Sequence, residues 1–160
     1  MAMHKLFVEQ FHEESYALLA IHCNLEDYRL AFLLNKHLEL KLKRCLKDLD
    51  FEYTLASYSI YEWEDKKQQI TWNWVENICK KEEDGLTSTG SLFQSPTKII
   101  KTFNLIPELD TVDYFLKIDN DGNPIYEKSI ISKMHDISQI AAVYNVNSDE
   151  LKSRNNLIFN

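Results

Sequence analysis

A chain of 160 residues has the size of one domain and hides roughly 68–70% of its unfolded surface, so neither disulfide nor metal is needed to hold it together. Hydrophobic residues at 44% and aromatics at 12% exclude a disordered chain, and a net charge of −7 disfavours general nucleic-acid binding, which rests on clustered Lys and Arg. The longest apolar runs, such as Ala17 to Ile21, fall far short of the ~20 residues of a membrane span.

The opening Met1 to Leu6 reaches Glu9, Glu13 and Glu14 before any long apolar stretch. A secretory signal is therefore not expected, and the expected location is cytoplasmic. Cys23, Cys45 and Cys79 are odd in number and far apart, which reads as reduced thiols rather than a disulfide framework or zinc site. Gly85, Gly90 and Gly122 are the three glycines. Phosphate-cradling loops need several closely spaced ones, so Gly-rich nucleotide-binding motifs are excluded.

In chain order, Tyr16 to His22 is a short apolar run that predicts a strand buried on both faces. Asn24 is the expected N-cap of a helix over about 25–37, with Glu26 and Asp27 at its positive end and Leu25, Tyr28, Ala31, Phe32 and Leu38 at helical spacing. From Leu38 the period becomes two, and Leu38, Leu40, Leu42 and Leu46 predict a half-buried strand. Phe51 to Trp63, the polar turn Glu64 to Lys67, and the alternating Ile70 to Val75 predict a hairpin. Lys80 to Pro96 is charged and then rich in Ser, Thr and Gly, which predicts a mobile surface loop.

Val112 to Ile118 is the next predicted strand, ended by Asn120-Asp121-Gly122-Asn123. Asn123 and Pro124 are the expected N-cap and first residue of a second helix, whose apolar face is Tyr126, Ile130, Met134 and Ile137. Ile140 to Val146 predicts a last strand, and a tail is expected from about 147 to 160. The pattern β-α-β-β-β, loop, β-α-β predicts a single α+β domain: a mainly antiparallel sheet carrying two helices, in a ferredoxin-like or ACT-like topology with an extra hairpin strand.

The run Ile106-Pro107-Glu108-Leu109-Asp110-Thr111-Val112-Asp113-Tyr114 resembles the signature of the IPExxxVDY family of small bacterial proteins. Leu25 to Leu30 and the chain length also look typical of it. The resemblance implies a bacterial cytoplasmic protein without assigned activity, and carries over no catalytic or ligand residue. Physically, Pro107 pushes Ile106 to extended backbone, Val112 and Tyr114 share one strand face, and Asp113 lies on the other. A strand entry with a satisfied carboxylate competes here with a ligand- or partner-reading edge.

Glu108, Asp110 and Asp113 are candidate hard-cation ligands, but an EF-hand ending at Gly122 would need acids where Lys117 and Lys128 stand. His12-Glu13-Glu14-Ser15-Tyr16 lacks the second histidine of a zinc-protease helix. His22 and Cys23 are neighbours on a strand and point to opposite faces, which argues against a nucleophile and base pair. Lys36, Lys41, Lys43, Arg44 and Lys47 form a local basic excess opposed by Glu39. Beside Trp63, Trp72 and Trp74 they suggest a grip on RNA, against the plainer reading of a lysine-guarded sheet edge with the indoles in the core.

The expected function is therefore a non-enzymatic binding or regulatory module, acting through a protein partner or as a homo-oligomer, with a dimer as the expected state. Candidate contacts are Glu108, Asp110, Asp113, Tyr114, Lys41, Lys43 and Arg44. The alternatives are RNA or nucleotide-phosphate binding through Lys41 to Lys47, and an enzyme using Asp113 or Glu108 as general base. No cofactor or metal is expected.

Overall fold

The computed structural model describes residues 16–85 and 97–159. Strand β1, Tyr16–Cys23, is buried along most of its length, as a continuous apolar run requires. Helix α1 follows as Asp27–Leu38, with Glu26 rather than the expected Asn24 at the N-cap. Asp27 supplies the favourable charge in the first turn, and its Oδ1 accepts the Tyr28 amide at 2.8 Å.

The strand expected from Leu38 to Leu46 does not form, because Asn35 captures the chain. Glu39 turns left-handed (φ 56°) and donates its amide to the Asn35 carbonyl, which also accepts the Leu40 amide at 3.1 Å. The Asn35 side chain then brackets Leu42, accepting its amide at 2.8 Å and donating to its carbonyl at 3.1 Å. Leu40 and Leu42 are buried, Leu46 is fully exposed, and all that remains of the expected strand is β2, Lys43–Arg44.

Next come β3, Leu49–Asp50, and β4, Ser57–Tyr58, which pair with each other. The predicted hairpin is β5, Ile60–Asp65, with β6, Ile70–Glu76, while 51–56 is turn and bend. The expected loop from Lys80 is in its first part a strand. β7, Ile78–Asp84, pairs along its length with β8, Lys98–Asn104. Gly85 sits where a Cβ would lie 2.6 Å from the Thr97 carbonyl. Residues 86–96, with Gly90 and Pro96, lie outside the described residues, as does the His12 to Ser15 pattern.

Strand β9, Tyr114–Asp119, ends in the predicted turn, where Asp121 and Gly122 have positive φ. Asn123 is spent inside that turn, donating from its side chain to the Asn120 carbonyl at 3.0 Å. Helix α2 therefore begins later, as Glu127–His135 with Tyr126 at its N-cap. Met134 and Ile137 are buried as expected, but Tyr126 is 83% exposed and does not belong to the apolar face. Strand β10, Ile140–Asn145, completes the set.

Six strands form one sheet in the order β10-β1-β9-β6-β5-β2, with every neighbouring pair antiparallel. The first four run fourth, first, third, second in the order of a β-α-β-β-α-β unit, which is the ferredoxin-like arrangement, and β5 and β2 extend its far side. The α+β fold with a mainly antiparallel sheet is thus the one expected.

Leu19, Ile21, Trp74, Leu116 and Ile118 pack on the helix side against Leu30, Leu34, Met134 and Ile137. Leu18, Ala20, Val75 and Phe115 pack on the other side beneath Tyr58, Leu105, Ile106, Val112, Leu151 and Leu157. Residues 147–159, expected as a tail, belong to this second layer. Each fully buried aliphatic or aromatic side chain contributes about 1.5–3 kcal/mol of burial. No described helix is long and apolar enough to cross a membrane.

Candidate functional site

The 106–114 segment is built around Asn77, which is fully buried between β6 and β7. A polar side chain at that depth must be paired. Its Oδ1 accepts the Ile106 amide at 2.8 Å, and its Nδ2 donates to the Leu109 and Val112 carbonyls, both at 2.8 Å. The Asn77 main chain adds bonds to Asp113 at 2.9 Å and from Leu105 at 2.8 Å. One side chain therefore shapes the whole signature.

Asp113 and Tyr114 are turned toward the β1–α1 connection, Glu108 is bonded to the C-terminal layer, and Asp110 is exposed. Asp113 Oδ2 accepts the Cys23 amide at 2.9 Å, and the Tyr114 hydroxyl donates to the Leu25 carbonyl at 2.6 Å. Together they clasp the connection from β1 to α1. Glu108 Oε1 accepts both the amide and the hydroxyl of Ser153 at 3.0 Å, tying down the C-terminal layer, while the Asp110 carbonyl accepts from Asn104 at 3.1 Å. The structure does not bring these four into one cleft. Burial, reinforced by the charge of Asp113, pushes the Cys23 thiol up, away from the thiolate a nucleophile needs. His22 instead stacks on Tyr144 and meets its hydroxyl at 3.0 Å.

The basic segment lies at the other end of the sheet. Lys43 and Arg44 form the outer strand, opposite Glu62 and Tyr61. Arg44 is held by Asp48 at 2.6 Å and by Asp27 at 3.7 Å, and Lys41 is exposed. By strand register Arg44 shares a face with Tyr61, Trp63 and Trp74, whereas Lys43 lies on the other face. Trp74 is fully buried between the rings of Tyr61 and Tyr114, 4.8 and 4.6 Å away. Trp63 and Trp72 face each other across the hairpin, and strand alternation turns Trp63 to the face opposite the Glu62–Lys43 pair.

Trp63 and Trp72 line a cavity of about 670 Å³ at the open end of the helix-on-sheet layer. The C-terminal end of α1 contributes Leu38 to Leu40, the sheet Ile70 and Ile118, and the start of α2 Ile125, Tyr126, Ser129, Ile130 and Lys133. Its buried lining residues are Leu40, Trp72 and Ile118, and the larger share of its exposed wall is polar. The Trp72 indole N–H is buried with no acceptor among the described residues. Sequence reasoning weighed both indoles as part of a nucleic-acid grip or of the core, and did not foresee a cavity beside them. Cross-strand pairing of Trp63 with Trp72 was in principle readable from the hairpin register, whereas the gap beside them was not.

No family model, curated protein or solved structure matches this chain. The geometry alone therefore carries any functional reading.

The two edges of the sheet differ. On the β2 side, Lys43 and Arg44 place charge on a strand of two residues, the usual protection of an exposed edge. On the β10 side, Ile140-Ala141-Ala142-Val143-Tyr144-Asn145 runs six residues with no charge, and no described strand pairs with its outer side. Val146 donates to the Leu18 carbonyl at 2.8 Å. Alternation of ladder bonds therefore turns the main-chain groups of Val143 and Asn145 outward.

Proposed function

We propose that this protein is a non-enzymatic binding or regulatory module that works as a homodimer, joined through the outer edge of β10. The observation that carries this reading is the asymmetry of the sheet: one edge is short and charged, the other long, uncharged and without a partner among the described strands. An unguarded edge offers its free N–H and C=O groups to another strand. A second copy supplies the same strand, and antiparallel pairing about a two-fold axis satisfies both chains at once. Exposed Ala141 and Tyr144 flank the contact.

Of the two readings of the 106–114 segment, its hydrogen bonds support the strand entry with a satisfied carboxylate over the partner-reading edge. Its main-chain groups are held by Asn77, and the side chains of Glu108, Asp113 and Tyr114 by Ser153, Cys23 and Leu25, so its contribution is to hold the two layers in place. The same nine residues support membership of the IPExxxVDY family, and with it a bacterial, cytoplasmic origin.

Light scattering on the full chain during size-exclusion chromatography tests the dimer. The expected result is a dimer that Ala141→Lys and Asn145→Pro each convert to a folded monomer. A wild-type chain that stays monomeric up to high micromolar concentration overturns the reading.

A further inference from the structure

We infer that the outer edge of β8 is a docking site for an extended peptide in which an apolar, an acidic and an aromatic residue alternate with polar ones. The peptide adds to the β7–β8 ribbon as a third strand and seats its aromatic side chain in a pocket beside Phe103. The inference goes beyond the dimer and does not rest on it.

The ribbon is open along β8. A two-stranded ribbon gains stability from a third strand or a packed face, and β8 is exposed from Lys98 to Thr102. Its two edges differ. β7 carries an unbroken run of charge from Lys80 to Asp84, which guards a strand against pairing. β8 instead presents Ile99 and Ile100, 51% and 62% exposed, and no described strand lies on its outer side.

The ladder fixes which groups this edge offers. The Gly85 amide donates to the Thr97 carbonyl at 2.7 Å and the Leu105 amide to the Asn77 carbonyl at 2.8 Å, one bond at each end of the paired region and both in its register. Alternation between them directs the main-chain groups of Ile99, Lys101 and Phe103 to β7 and turns those of Lys98, Ile100 and Thr102 outward.

The side chains set the chemistry of the partner. Ile99, Lys101 and Phe103 share one face. Lys101 stands opposite Lys81, an unfavourable pairing of like charges. Glu83 meets Lys101 at 2.7 Å, and Lys81 has no carboxylate partner among the described residues. An acid on the added strand beside Lys101 offsets that excess. A second copy of β8 would bring Lys98 and Lys101 against the same two cations, so charge favours a different strand.

Beside Phe103 lies a mainly apolar pocket of about 460 Å³. Phe51, Tyr53 and Tyr58 line it from one side and Thr102, Phe103 and Pro107 from the other. No residue of β7 lines it, which puts it on the β8 side of the ribbon. Residues two apart on the added strand share a face, so the position two beyond the acid meets Phe103 and this pocket. Main-chain bonds along an edge, with a pocket for an alternate side chain, are the two components of recognition by strand addition.

The acetylated and amidated peptide Thr-Val-Thr-Glu-Thr-Phe-Thr, titrated into the ¹⁵N-labelled full chain, tests the site. In the free protein the Ile100 and Thr102 amides should exchange with solvent quickly and the Ile99 and Lys101 amides slowly. Slow exchange of all four would mean that a strand of this chain or of a second copy already covers the edge, and overturns the inference. The peptide should protect Ile100 and Thr102 and shift the signals of Phe103 and Tyr53. Alanine in place of its Phe should weaken binding about tenfold, as loss of a buried aromatic does. Lysine in place of its Glu should weaken it up to about fivefold at low salt, and Lys101→Glu should reverse that preference. Thr102→Pro removes an outward N–H and no ladder bond, and should abolish binding; N-methylation of alternate peptide amides should do the same with the unaltered protein. No binding at millimolar peptide, equal affinity of the Phe and Ala peptides, or binding that survives N-methylation on both alternating sets of amides each overturns the inference.

Discussion

The Oδ1 atom of Asn77 accepts the main-chain amide of Ile106 at 2.8 Å, at a depth where neither residue touches solvent. That bond fixes where the chain enters the second layer after β8. With the Leu109 and Val112 carbonyls held by the same side chain, it explains why a run with one short 3-10 turn at Pro107–Leu109 and several carboxylates forms a fixed entry to β9. The consequence is functional as well as structural, because Asp113 and Tyr114 are positioned from this anchor and reach the connection that starts α1.

Replacing Asn77 by Ala leaves the buried Ile106 amide and Val112 carbonyl without that partner, while the Leu109 carbonyl still accepts the Val112 amide at 3.1 Å. Each unpaired group costs about 1–3 kcal/mol, so the expected loss is about 2 kcal/mol or more. Urea unfolding of wild type and variant reads it from the midpoint at unchanged slope. A loss below about 1 kcal/mol would mean that the segment holds its shape without Asn77.

The C-terminal residues are part of the interior. Leu157 is 1% exposed beneath the sheet, and its carbonyl accepts from Lys117 Nζ at 2.9 Å. Leu157→Ala should cost about 2–5 kcal/mol, as for other buried leucines, and deletion of 147–160 should cost more. Thermal melts of both variants check this. A true tail would leave the melting temperature unchanged.

Glu76 gives a pH dependence of definite sign. Burial pushes its carboxyl above the ordinary glutamate range, although Ser59 donates to it from both amide and hydroxyl at 3.2 and 2.8 Å. A carboxyl raised in the folded state contributes stability that is fully present below its unfolded value and is lost as pH rises through its folded value. Glu76→Gln should therefore be more stable than wild type at neutral pH, with the difference closing as pH falls into the ordinary carboxylate range. Urea midpoints across that range measure it, and a glutamine variant less stable at neutral pH would refute the assignment.

Apolar runs and two-residue alternation were sufficient to locate β1, β5, β6, β9 and β10, because these strands bury the side chains that the pattern marks. Their helices were found for the same reason, but the caps were not. Asn24 and Asn123 have the right chemistry for caps; Asn123 is spent in its turn by bonds to Asn120, and helix α1 starts after Glu26. The alternating leucines from Leu38 failed as a strand signal because Asn35, one helical turn earlier, binds Leu42.

What the sequence determined by itself was the fold class: local periodicity decides which face of each segment avoids water, and two helices with several amphipathic or apolar strands leave few ways to share one sheet. The tertiary structure alone decided which polar groups remain available for function. Glu108, Asp113 and Tyr114 are consumed by partners 45, 90 and 89 residues away in the chain, while the outer rim of β10 carries no charge and pairs with no described strand. Hydrogen-bond satisfaction is a property of three-dimensional neighbours, and no local pattern encodes it.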